Sequence, residues 1–218
     1  KDYLNKTLYF QFNGVDSSYI EDFPLVANFP AAASIAIYSR YHQEIWIVGD
    51  CQALVDGVSY YPKKKVDEVI SQVRALAIAA LLEAGMTQED LRREDLGREL
   101  ILPFLKLQRN FENKRGSYGY LVLNNDHMNL SVLREKGVVI SLPSGAHVGL
   151  TSDGYPRLFD TLAASEASLA EILREDPLCY HTNVSTKGLK RNAISFDDRT
   201  FLSFSLEGQI RRENKYGI

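Results

Sequence analysis

The chain has 218 residues, 45% of them apolar and 24% charged, with a net charge of −3. That length supports one large domain, and the composition is ordinary for a folded protein rather than a disordered one. The slightly acidic balance argues against a general attraction to nucleic acid, so no nucleic-acid partner is expected. No run approaches the ~20 apolar residues of a membrane span, and no secretory leader is evident, so no membrane partner is expected. Cys51 and Cys179 lack metal-ligand or redox spacing, which fits reduced thiols in a cytoplasmic setting. The chain opens on Lys1 rather than Met, so an N-terminally incomplete domain is expected.

The first 59 residues read as strands. Leu8-Tyr9-Phe10-Gln11-Phe12 is aromatic and β-prone, and residues 33–38 and 44–48 flank a polar stretch as a β-hairpin. Ala53-Leu54-Val55 reads as a continuation of that second strand towards the Asp56-Gly57 turn. Lys63-Lys64-Lys65, the densest basic run, reads as a solvated helix start. The middle of the chain, about residues 66–113, is helical. Val66, Val69, Ile70, Val73, Leu76, Ala77, Ala80 and Leu81 recur at helix spacing and predict a buried stripe that stops at Gly85. Thr87 and Asp90 form an N-cap pattern for a second helix through Leu105, with a kink or interruption expected at Pro103. Strands are expected again at residues 118–123, 129–133, 138–142 and 147–151. A helix follows at 165–174, ended by Pro177, and a last alternating strand covers 200–206. This order lacks the βαβ rhythm of a doubly wound sheet. It predicts an α+β fold: a four-layer αββα sandwich of mainly antiparallel sheets flanked by helices, in one domain over 1–218.

Three acidic turns stand at strand ends: Val48-Gly49-Asp50-Cys51, Thr151-Ser152-Asp153-Gly154 and Phe196-Asp197-Asp198-Arg199-Thr200. Brought together, their carboxylates would suit a hard divalent cation. Each also has a plain structural role open to it. Asp50 can cap a turn through backbone N–H groups, and Asp197 and Asp198 can simply open the last strand. Cys51 reads as a small buried hydrophobe rather than a nucleophile. The four histidines form no ligand pattern, and His147 reads as packed or solvated.

In their order and setting, these turns resemble motifs of the PPM-type, metal-dependent protein phosphatases. Gly49-Asp50-Cys51-Gln52 stands where the family has Gly-Asp-Ser-Arg, Ser152-Asp153-Gly154 matches its Ser-Asp-Gly, and Asp197-Asp198-Arg199-Thr200 matches its closing motif. The resemblance covers about residues 31–206, apart from the long helical segment. It implies Mn²⁺ or Mg²⁺ as cofactor, two or more ions if the domain is active, and hydrolysis of phosphoserine or phosphothreonine in proteins. It implies Asp153 and Asp197 as main metal ligands, Asp50 as ligand of an additional ion, and Gly154 and Asp198 as ligands or as groups that orient one. The partner would be a phosphoprotein substrate or a regulatory protein.

The chain also departs from the family pattern. No convincing counterpart of the early Glu-Asp pair and Asp-Gly is found, since Asn13-Gly14-Val15-Asp16 and Glu21-Asp22 lie too close to the first hairpin. Arg157 stands where many relatives carry an acidic ligand. A catalytically inactive, phosphatase-like module serving binding or regulation is therefore the alternative expectation.

Overall fold

A computed structural model describes residues 31–124 and 129–207. The expected strand at 8–12 and the acidic pairs at 13–16 and 21–22 lie outside those residues, as does part of the turn at 124–126. Among the described residues, seven strands form two antiparallel sheets. β1 (Ile35–Ser39), β2 (Glu44–Val48) and β5 (Val138–Ser141) make the first, in the order β1-β2-β5. β3 (Gln52–Val55), β4 (Val58–Tyr60), β6 (His147–Thr151) and β7 (Phe201–Ser205) make the second, in the order β4-β3-β6-β7. Mixed helices and antiparallel sheets define an α+β fold, as the element order predicted.

Alternation along the strands builds the core that both sheets share. Ile45 and Ile47 of β2, Ala53 and Val55 of β3, Ile140 of β5, and Val148 and Leu150 of β6 are all buried in one cluster. Period-two spacing puts each pair on one face of its strand. Each large apolar side chain buried there contributes about 1.5–3 kcal/mol.

The hairpin of β1 and β2 forms as expected, with Ile37 opposite Trp46. β3 does not continue β2. The chain leaves the first sheet at Gly49 and enters the second at Gln52, because the Ser34 side chain holds the turn between them.

Helix α1 (Lys65–Glu83) ends just before Gly85. Its buried face matches the predicted stripe only in part, at Val66 and Ile70, with Leu81 packed against the core. Val66, Ile70, Ser71, Arg74, Ala75 and Ile78 point inward, while Val69, Val73 and Leu76 are exposed. A buried cation, Arg74, sets that rotation by pairing with Asp95. Thr87 and Asp90 form the expected capping box on α2 (Gln88–Arg93). The expected second helix breaks at Glu94-Asp95 rather than at Pro103. Asp95 starts α3 (Leu96–Leu107) by accepting from the Arg98 N–H at 2.9 Å, and α3 runs past Pro103.

The strand expected at 118–123 does not form; the segment makes only two isolated bridges outside the sheets, Tyr120 with Glu112 and Leu123 with Ala33. The expected strand at 129–133 is instead helix α4 (Leu130–Lys136). Asn129 caps it by accepting from the Ser131 N–H at 2.9 Å, and the apolar alternation there misled because only Val132 is buried. Helix α5 (Leu162–Glu175) starts earlier than predicted, at a Thr161 cap. It packs Leu169 and Leu173 with Tyr155, and Phe201 of β7 borders that cluster. Among the described residues no helix is long and apolar enough to cross a membrane.

Candidate functional site

Strand register decides which turns meet. Gln52 at the start of β3 pairs with Thr151 at the end of β6, and Thr151 pairs in turn with Phe201 at the start of β7. Asp50 precedes β3, Asp153 follows β6, and Asp197 and Asp198 precede β7. All three turns therefore lie side by side at one edge of the second sheet.

Local bonds fix them there. The Gln52 amide donates to the carbonyls of Ser152 at 3.4 Å and Tyr155 at 2.9 Å. Ser152 N–H donates to the Thr200 carbonyl at 3.3 Å, and Thr200 N–H donates to Ser152 Oγ at 3.0 Å. Gly154 is buried against the Asp198 backbone, where a Cβ would also meet Arg199 Cβ at 2.7 Å. Only glycine lets the two turns approach this closely. At the third turn Gly49 has φ +86°, and an added Cβ would meet Ser34 Cβ at 2.5 Å. Ser34 Oγ donates to Asp50 Oδ1 at 2.5 Å and accepts from the Asp50 N–H at 3.2 Å. Asp50 therefore does have a turn-holding role.

Behind the edge, Glu166 of α5 ties two of the turns together. Tyr155 Oη donates to Glu166 Oε1 at 2.5 Å, while Arg199 Nε and Nη2 donate to its two oxygens at 2.7 and 2.6 Å. The Arg199 bonds, with help from Tyr155, pull the Glu166 carboxyl down to about 2.

Asp153 and Asp197 line the same cleft, of about 600 Å³, together with Lys64, Asp67, Arg98 and Lys187. Asp50 lines an adjoining cavity of about 250 Å³, which shares Lys64 with the cleft. Lys187 forms an ion pair with Asp197. Lys64 Nζ lies 3.8 Å from Asp50 and 2.9 Å from Asp67, and 4.3 Å from the centre of the Tyr120 ring. Lys64 is thus packed into the site rather than solvated at a helix start, although its neighbours Lys63 and Lys65 are exposed.

Among the described residues Asp153 makes no ion pair. It is exposed in the cleft. Partial desolvation of its carboxyl, and then the negative charges of Asp50 and Asp197, push that carboxyl up to about 6, partly offset by Lys187. Burial, followed by Asp50 and Asp153, pushes the Cys51 thiol up to about 11, so it stays protonated and is no nucleophile. Asp198 turns away from the cleft to line a neighbouring groove, and its N–H donates to Asp197 Oδ1 at 2.9 Å. His147 lies at the opposite end of β6, packed between Ser205 Oγ at 3.0 Å and the Asp160 carbonyl at 3.1 Å.

The fit of this edge to a divalent cation is mixed. Its donors are hard carboxylate oxygens whose mutual repulsion is relieved by added positive charge. Against that, lysines already meet Asp50 and Asp197. Among the described residues, no group of three or more His, Cys, Asp or Glu side chains is close enough to hold one ion. These residues would therefore supply only part of a coordination shell.

Comparison with protein-family models, with curated proteins and with solved structures gives no match. The sequence pointed to the aspartates and missed the groups around them. Lys187, Asp67 and Glu166 carry no motif, and each reaches the site from a segment whose placement depends on the finished fold; Arg199 stood in the third turn, but its clamp on Glu166 was not legible there.

Proposed function

We propose that the chain is a divergent PPM-type phosphatase-like domain, built as a four-layer αββα sandwich. Its acidic edge would serve Mn²⁺ or Mg²⁺ and a phosphoserine or phosphothreonine of a protein substrate. The observation that carries this reading is the meeting of the Asp50, Asp153 and Asp197 turns at one sheet edge, with Asp153 not ion-paired and its carboxyl raised by desolvation and then by the other two. Asp153 and Asp197 would be the main ligands and Asp50 a ligand of an additional ion, with Gly154 and Asp198 setting the spacing of the turns. When bound, a divalent cation supplies charge that polarises phosphate and acidifies water. The chain's own cations, Lys187 and Arg98, line the same cleft and would offset phosphate charge there. A cytoplasmic setting goes with the free thiols of Cys51 and Cys179.

A second reading is favoured by the ion pairs of Lys187 with Asp197 and Lys64 with Asp50. In it the domain keeps the acidic edge as a lysine-neutralised structural element and binds or regulates another protein. One experiment separates the two. The phosphatase reading expects hydrolysis of an aryl phosphate only with added Mn²⁺ or Mg²⁺, calorimetric Mn²⁺ binding, and loss of both in Asp153→Asn. Absence of turnover and of Mn²⁺ binding in the wild type would refute it and leave the regulatory module, whose partner affinity is indifferent to chelator.

A further inference from the structure

A groove of about 970 Å³ continues from the acidic cleft on the Asp198 side, and the two share Arg98, Lys187, Phe196 and Asp197. Helix α5 contributes Leu162 and Glu166 to its lining, and residues 192–194 line it further. The charges there do not cancel. Lys187 is matched by Asp197 and Arg199 by Glu166. Arg98 and Lys190, which make no ion pair among the described residues, then face the single unmatched carboxylate of Asp198. The groove also offers apolar surface. Ile194 is 86% exposed and Leu162 49%. The turn that carries Ile194 is anchored from outside the groove. Arg191 N–H donates to the Arg92 carbonyl at 2.8 Å and its guanidinium lies 3.2 Å from Glu89, while within the turn Ala193 N–H donates to the Lys190 carbonyl at 3.1 Å. An exposed aliphatic side chain on a tethered turn, beside two unmatched cations, is a surface prepared for an amphipathic ligand.

We propose that this groove receives an extended polypeptide segment, with a carboxylate side chain opposite Lys190 and Arg98 and an apolar side chain against Ile194 and Leu162. The proposal rests on the phosphoprotein reading, because it assigns the groove to the chain flanking a phosphorylated residue at the cleft. It makes the site selective for acidic, partly apolar flanking sequence and disfavours a basic one.

Fluorescence anisotropy of the full chain tests it directly. The probes are a short fluorescein-labelled, unphosphorylated peptide containing Glu and Leu, the same peptide with Lys for Glu, and the same with Ser for Leu. Each replacement is expected to weaken binding about tenfold. Lys190→Glu is expected to reverse the Glu-over-Lys preference, and Ile194→Asp to abolish the preference for Leu. Both residues are exposed, so neither change threatens folding. Equal binding of the three peptides by the wild type, or wild-type preferences in both variants, overturns the proposal. Wild-type aryl phosphate turnover with Mn²⁺ is measured in parallel. Turnover without peptide selectivity sinks the groove alone, whereas selectivity without turnover keeps the groove and sinks the phosphatase reading.

Discussion

Replacing Arg74 by methionine is expected to be among the costliest single changes in the domain. Its side chain is fully buried. Its guanidinium is held by Asp95 at 2.7 Å and donates to the carbonyls of Leu178, Cys179 and Ser185 at 2.9, 3.2 and 3.1 Å. Asp95 in turn caps α3 and accepts from the Gly188 N–H at 3.2 Å. Arg74→Met thus leaves a nearly buried carboxylate without its cation and three carbonyls without this donor. Breaking one side of a buried ion pair costs about 3–5 kcal/mol. With a urea m-value of ~2.5 kcal/mol/M, the unfolding midpoint falls by about 1–2 M. Adding Asp95→Asn removes the uncompensated charge but keeps a capping side chain, so the double variant is expected to recover at least about 1 kcal/mol. Hydrogen exchange should accelerate first at Ser185 and Leu189, whose amides bond within the loop that Arg74 secures. A loss below about 1 kcal/mol in Arg74→Met, or no recovery in the double variant, refutes the assignment of Arg74 as the tie between α1, α3 and that loop.

The remaining expectations concern the acidic edge. In a carboxyl NMR titration, Asp197→Asn should lower the Asp153 pKa from about 6, since it removes a repelling charge and releases Lys187, while Lys187→Met should raise it; opposite shifts refute the geometry. Because folding raises this pKa, the stability linked to Asp153 is present below its unfolded value of ~3.9 and is lost as pH rises through about 6. Asp153→Asn should therefore stabilise the domain more at neutral pH than at acid pH in denaturant melts, and the reverse order refutes the sign. Gly154→Ala should cost about 1–3 kcal/mol by forcing the Asp198 backbone away. Gly149→Ala, whose Cβ would meet only Leu54 Cβ at 3.5 Å, is the milder control, and equal losses contradict the close approach. Glu166 has the opposite linkage to Asp153: its lowered pKa adds stability above ~4.3 that is lost as pH falls towards about 2. Glu166→Gln should flatten acid unfolding in that window, and an unchanged acid limb counts against the clamp.

How much of this was readable in the chain depends on the range of the cause. The β1–β2 hairpin, the capping box at Thr87 and the strand at β6 are decided by neighbours within a few residues, and they appear as predicted. The buried face of α1 is decided by Arg74 finding Asp95, so a reading that sorts residues by hydropathy placed Leu76 inside and left Arg74 out. The strand expected at 129–133 failed for a smaller reason: the Asn129 cap outweighed the alternation of its apolar residues. The three aspartates were visible because turn chemistry marks them, whereas Lys64, read as part of a solvated basic run, enters the site only through its contacts with Asp50 and Asp67.

The ammonium groups of Lys64 and Lys187 give the carboxylate edge a pair of tethered counter-ions. Any mobile cation must compete with amines whose effective concentration is set by the backbone and not by the solution. A monovalent ion gains little from that exchange, whereas a doubly charged one gains from every oxygen it recruits. While paired, the lysines would set a charge-density threshold that bare aspartates would not impose on an entering ion.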